Sequence, residues 1–67
     1  MPFVQIFALE GRTADQKREL VRAVTRSVCE AIAAAPEDVQ VVIVDTPREN
    51  WGTAGTLASD PPAGPDT

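Results

Sequence analysis

Phe3-Val-Gln-Ile-Phe-Ala-Leu9, a break of three residues, and then Thr13-Ala-Asp-Gln16 decide the fold of this chain. The first stretch is almost entirely apolar and rich in β-formers, the pattern of a strand covered on both faces as in parallel sheets. Glu10-Gly11-Arg12 interrupts it. Thr13 to Gln16 reads as a capping box, with a Thr N-cap, Gln three residues later and an acid in the first turn. The spacing predicts a helix from about Ala14 to Ala34. Leu20, Val24, Val28 and Ile32 recur every four residues, and Val21 widens the stripe. Arg18, Arg22 and Arg26 fall on the opposite side, about 200° away at roughly 100° per residue. With Glu19 and Glu30 alongside, that row is a solvated outer face. Pro36 stops the helix.

Val39-Gln-Val-Val-Ile-Val44 is a second strand of buried type. Strand, long amphipathic helix and strand make a β-α-β unit of the α/β class, so the two strands are expected to run parallel. Two strands and one helix leave a sheet edge open and an apolar face short of cover, which calls for partners. Past Asp45 the pattern loosens: Pro47 to Asn50 is a loop. Trp51-Gly-Thr-Ala-Gly-Thr-Leu57 is expected to form a short hairpin around its glycines. Residues 1–59 read as a single domain. Residues 60–67 hold three of the six prolines and are expected to be a disordered tail.

Length sharpens the demand for partners. At 67 residues, 43% hydrophobic and 24% charged, the chain is globular but small. One core of this size rarely supplies more than roughly 3–5 kcal/mol, so a staple is needed. Cys29 is the lone cysteine and there is no histidine. No disulfide can close within the chain, no Cys/His cluster can hold zinc, and no Ser-His or Cys-His pair can form. Cys29 itself reads as a small packing residue. Self-association remains. A net charge of −4 and a pI near 4.5 argue against nucleic acid or an anionic membrane as partner. The N-terminus lacks a basic signal-peptide region and no apolar run has membrane-spanning length, so a cytoplasmic protein is expected.

Pro2 is the first candidate for chemistry. An initiator methionine before a small residue is usually removed, which exposes a secondary amine held stiffly at the start of an apolar strand. An α-amino group starts near pKa 7.7–8.0. Burial against apolar walls and nearby cations both disfavour its charged form. A base poised near neutral pH suits proton abstraction beside a carbonyl.

The surrounding motifs carry a resemblance. Pro2, an apolar strand ending Leu9-Glu10-Gly11-Arg12, a helix opening Thr13-Ala-Asp-Gln-Lys17, Val39 to Val44, Trp51-Gly-Thr-Ala-Gly55 and Leu57-Ala-Ser59 together resemble the 4-oxalocrotonate tautomerase family. The resemblance covers residues 2 to about 59. It implies a tautomerase fold whose two strands join a second copy's in a four-stranded sheet, with the C-terminal hairpin bridging neighbouring dimers. It implies a homohexamer built as a trimer of dimers, a cofactor-independent keto–enol isomerase, and Pro2 as catalytic base. Arg12 matches the family's first arginine, which grips a substrate carboxylate, often across a subunit boundary. A guanidinium suits that task because its planar fork makes two bonds. Trp51 stands where the family has an aromatic pocket wall, and it can exclude water or anchor an interface.

Gln40 departs from the family pattern, which has a second arginine there. Glutamine can donate a hydrogen bond to an enolate oxygen but brings no charge, and a charge-assisted bond is about twice as strong. The simplest place for Arg48 is a loop pair with Glu49 or Asp45. Alternatively it swings in for the absent arginine, or a non-identical chain in a hetero-hexamer supplies one. The expected ligand is a small carboxylate-bearing enol acid such as a 2-hydroxy-dienoate, with no metal. Two other readings stay open. One is a hydratase or dehalogenase-type relative using a cationic proline, with Glu10 or Glu49 activating water. The other is a non-catalytic subunit of a mixed hexamer.

Overall fold

In the computed structural model, which describes residues 1–61, strand β1 spans Phe3–Leu9 and helix α1 spans Ala14–Ile32. Strand β2 spans Gln40–Thr46, and strands β3 (Gly52–Thr53) and β4 (Thr56–Leu57) form the hairpin. β1 and β2 pair in parallel from Phe3 opposite Gln40 to Leu9 opposite Thr46. β3 and β4 pair antiparallel. The predicted β-α-β unit and hairpin are both present. Residues 62–67 of the expected tail lie outside the described residues.

The capping box forms as read. The Thr13 hydroxyl accepts from the Gln16 amide at 3.1 Å, and the Gln16 side chain accepts from the Thr13 amide at 2.9 Å. The helix stops at Ile32, two residues before the expected Ala34. Ala33 turns left-handed (φ 57°) and Ala35 is extended (φ −77°, ψ 143°). The ring of Pro36 forces the second of these, because the residue before a proline is driven out of the helical region. Pro36–Asp38 then forms a 3-10 turn closed by the Val39 amide donating to Pro36 O at 3.1 Å. That bond keeps Val39 out of the ladder. Strand β2 therefore starts at Gln40 and, with the Glu10 amide donating to Thr46 O at 3.0 Å, runs to Thr46 instead of Val44.

The strands alternate up to their far ends, where Leu9 and Val44 are half-buried as well. Val4, Ile6 and Ala8 with Val41 and Ile43 take the helix-covered side and are half-buried. Phe3, Gln5 and Phe7 with Gln40 and Val42 take the other side and are exposed. Phe3 and Phe7 are each 58% exposed and Val42 is 42% exposed. Leu57 of the hairpin is 42% exposed and Ile32 at the helix end 63%. No described side chain is fully buried. A monomer folded this way leaves both phenylalanines more than half in water, where covering the rest of each ring would gain about 1–2 kcal/mol.

Candidate active site

The parallel register separates the predicted residues into two ends. At the first end the Gln40 amide donates to Pro2 O at 3.0 Å, so the residue before β1 is tied to the first residue of β2. Gln40 shares its sheet face with Phe3, the face the helix does not cover. Pro2 is half-buried and Met1, ahead of it, is 84% exposed. No basic residue occupies the last turn of α1, and the charged residues preceding Gln40 are Glu37 and Asp38.

Arg12 lies at the second end, in the turn from β1 into α1. Gly11 (φ 117°) takes a backbone angle that a side chain rarely tolerates, which lets the chain reverse there. The Arg12 guanidinium donates through Nη1 to Leu9 O at 2.7 Å. Its remaining N–H groups have no partner among the described residues, and Asp15, the acid it would meet at the helix start, is paired with Arg18 at 2.6 Å. Arg48 and Trp51 follow the far end of β2. The Trp51 amide donates to Arg48 O at 3.2 Å, and Trp51 O accepts from the Ala58 amide at 2.8 Å, which fixes the half-buried indole at the base of the hairpin.

Arg48 is exposed and makes no ion pair among the described residues. The expected pairing with Asp45 or Glu49 is thus corrected: Lys17 takes Asp45, with Nζ 2.5 Å from Oδ2. The alternation of β2 explains this, since it turns Asp45 toward the helix and away from the loop. The Lys17–Asp45 pair was not among the sequence-derived candidates, although a cation at the start of a helix and an acid within an apolar strand were both visible. Arg18 and Arg22 pair along the helix with Asp15 and Glu19, as expected of a solvated face.

From Pro2 to Leu9 the strand covers about 23 Å at roughly 3.3 Å per residue. One copy cannot bring Pro2 and Arg12 to the same small molecule. An open groove of about 520 Å³ does run along the first half of α1, lined by Ala14, Lys17, Arg18, Val21 and Arg22, but none of the candidate site residues lines it. No helix among the described residues is long and apolar enough to cross a membrane.

A β-α-β unit with proline at the head of its first strand, a Gly-Arg turn into a capped helix and a terminal hairpin defines the class of this small α/β protein. The sequence model of a family described as tautomerase enzyme matches residues 2–60. The chain is 48% identical over 60 residues to a 2-hydroxymuconate tautomerase of Comamonas testosteroni, covering 90% of this chain and 95% of that one. To the 2-hydroxymuconate tautomerase of Pseudomonas putida it is 43% identical with the same coverage. Among solved structures, a 4-oxalocrotonate tautomerase isozyme from Methylibium petroleiphilum superposes with a TM-score of 0.83 at 49% identity, covering 85% of this chain and 92% of that chain. A heterohexamer 4-oxalocrotonate tautomerase from Chloroflexus aurantiacus J-10-fl gives 0.86 at 30% identity, covering 90% and 97%. The chain belongs to the tautomerase family, and it is an isomerase of the 4-oxalocrotonate tautomerase type.

Proposed function

We propose that this tautomerase converts a small 2-hydroxy-dienoate or related enol acid to its keto form, with Pro2 as general base. Once Met1 is removed, the Pro2 nitrogen is a secondary amine. The neutral amine takes the enol hydroxyl proton as the carbonyl double bond forms. The electron pair moves along the conjugated chain, and the ammonium returns a proton to carbon, so that the amine is neutral again at the end. No cofactor is needed, because proton transfer is the whole reaction. A positioned base contributes roughly 10²–10⁴-fold.

The separation of Pro2 from Arg12 along β1 is the observation that carries this reading further. Substrate is held where the Pro2 end of one copy meets the Arg12 end of another, in a homohexamer. Arg12 grips a carboxylate, and Arg48 adds positive charge from the same end. Gln40 donates to the oxygen on which charge develops, and Trp51 keeps the site dry. The bare face of Phe3, Phe7 and Val42 supports the assembly, since burying it supplies what the small core lacks.

The test is to purify the chain alone and determine its N-terminal residue, assembly mass and turnover of 2-hydroxymuconate together. A Pro-initiated hexamer with turnover is expected. A monomer, or an enzyme equally active with Met1 attached, overturns the reading. An inactive Pro-initiated hexamer replaces it with the mixed-assembly subunit.

A further inference from the structure

We propose that the Lys17–Asp45 ion pair is a positioning device that sets Arg12 for the substrate carboxylate. This rests on the reading of Arg12 given above. Two choices in the sequence are locally unfavourable. Asp45 occupies a strand position, where aspartate is disfavoured, on the same side of β2 as Val41 and Ile43 and with its side chain 40% exposed. Lys17 is the fourth residue of α1, close to the positive end of the helix dipole, where a cation is disfavoured. Each is relieved by the other at 2.5 Å, and only while the start of α1 is docked on the end of β2. Local rules broken in a mutually compensating way mark a constraint on geometry.

The constrained segment is Glu10 to Thr13. On one side the Glu10 amide is bonded to Thr46 O, next to Asp45. On the other, Thr13 caps the helix and Thr13 O accepts from the Lys17 amide at 3.0 Å. Arg12 is the only cation in the span, and its guanidinium is aimed by Leu9 O at the end of β1. Without the pair, the capped helix start can shift against the sheet and carry the guanidinium with it. A bidentate grip on a carboxylate is sensitive to such a shift.

A double-mutant cycle between Asp45→Asn and Arg12→Ala, read as KM and kcat for 2-hydroxymuconate on assembled protein, tests this. Asp45→Asn is expected to raise KM about tenfold with kcat within about twofold of the unmodified enzyme. In the Arg12→Ala background the same change is expected to add nothing, because the residue it positions is gone. Asp45→Glu, which keeps the charge, is expected to restore most of the loss. An unchanged KM in Asp45→Asn, or the same rise with and without Arg12, overturns the proposal. If Arg12→Ala alone leaves KM unchanged, it is the role of Arg12 that fails. Lys17→Gln, at the helix end of the same pair, runs the cycle if Asp45→Asn does not fold.

Discussion

The Gln40 amide and the Pro2 carbonyl oxygen are 3.0 Å apart, one backbone bond that fastens the head of β1 to the head of β2. Through it the residue proposed as base has a fixed place even though it precedes the first strand. The bond uses only main-chain atoms, so it survives substitution of either side chain by another residue that keeps the strand. That separates the chemistry of this end from its folding.

Pro2→Ala therefore tests the base without disturbing the assembly. A primary amine replaces the ring nitrogen and loses its rigid placement. Turnover is expected to fall by about 10²-fold or more, the range for loss of a general base. Far-UV circular dichroism and sedimentation are expected to match the parent protein. A Pro2→Ala enzyme with parental kcat would remove Pro2 from the mechanism.

Gln40→Arg brings a cation to an end of the sheet where Glu37 and Asp38 are the neighbouring charges in sequence. A positive charge near the Pro2 amine disfavours its protonated form and lowers its pKa. The base must be neutral to act, so the acidic limb of the kcat/KM profile is expected to move to lower pH. Turnover of the dianion 2-hydroxymuconate is expected to rise, through a charge-assisted bond roughly twice as strong as the neutral one. A pH–rate profile of the two proteins on one substrate checks both. A limb that moves upward, or not at all, shows that residue 40 does not face the amine.

The strands, the helix start and the hairpin were legible because each is written locally: apolar runs, a capping box, glycines at a turn. Helix end and strand bounds were less so. They depend on how Ala33 to Val39 divide their hydrogen bonds around Pro36, and a run of three alanines carries no sign of where it turns. Pro2, Arg12, Gln40 and Trp51 stand out as candidates by residue type and motif. Their separation into two ends could not, because it follows from a register that only the folded sheet specifies. The expected pairing of Arg48 with Glu49 or Asp45 fails for a related reason: sequence proximity favours the loop, whereas strand alternation turns the Asp45 carboxylate to Lys17.

Ala33→Gly tests the account of the helix end. Alanine in the left-handed region pays about 1–2 kcal/mol that glycine does not. Glycine gives back about 0.4–1 kcal/mol through a freer unfolded chain. A net gain of about 0.5–1 kcal/mol per protomer is expected, read as an upward shift in thermal midpoint at fixed protein concentration. Catalytic constants are expected to stay at parental values, since no candidate site residue lies in this turn. A lower midpoint would show that Ala33 makes a contact worth more than its strained backbone.

Phe7→Asp tests whether the uncovered sheet face is an interface. Phe7 sits mid-strand and is 58% exposed, so one folded copy gives up little packing when the ring is removed. In an assembly the same change removes about 1–2 kcal/mol of interface burial per copy and places a carboxylate on the apolar face with Phe3 and Val42. Sedimentation is expected to show species smaller than the parent assembly. Activity is expected to disappear with the large species even though Pro2, Arg12, Gln40 and Trp51 are all intact, because Pro2 and Arg12 stand at opposite ends of one strand. Addition of an Arg12→Ala protein that still assembles gives a sharper version. If mixed assemblies form, each inactive variant supplies what the other lacks, and turnover is expected to return in part. Full activity in a monomeric Phe7→Asp protein would place the complete site within one copy and refute the shared-site arrangement.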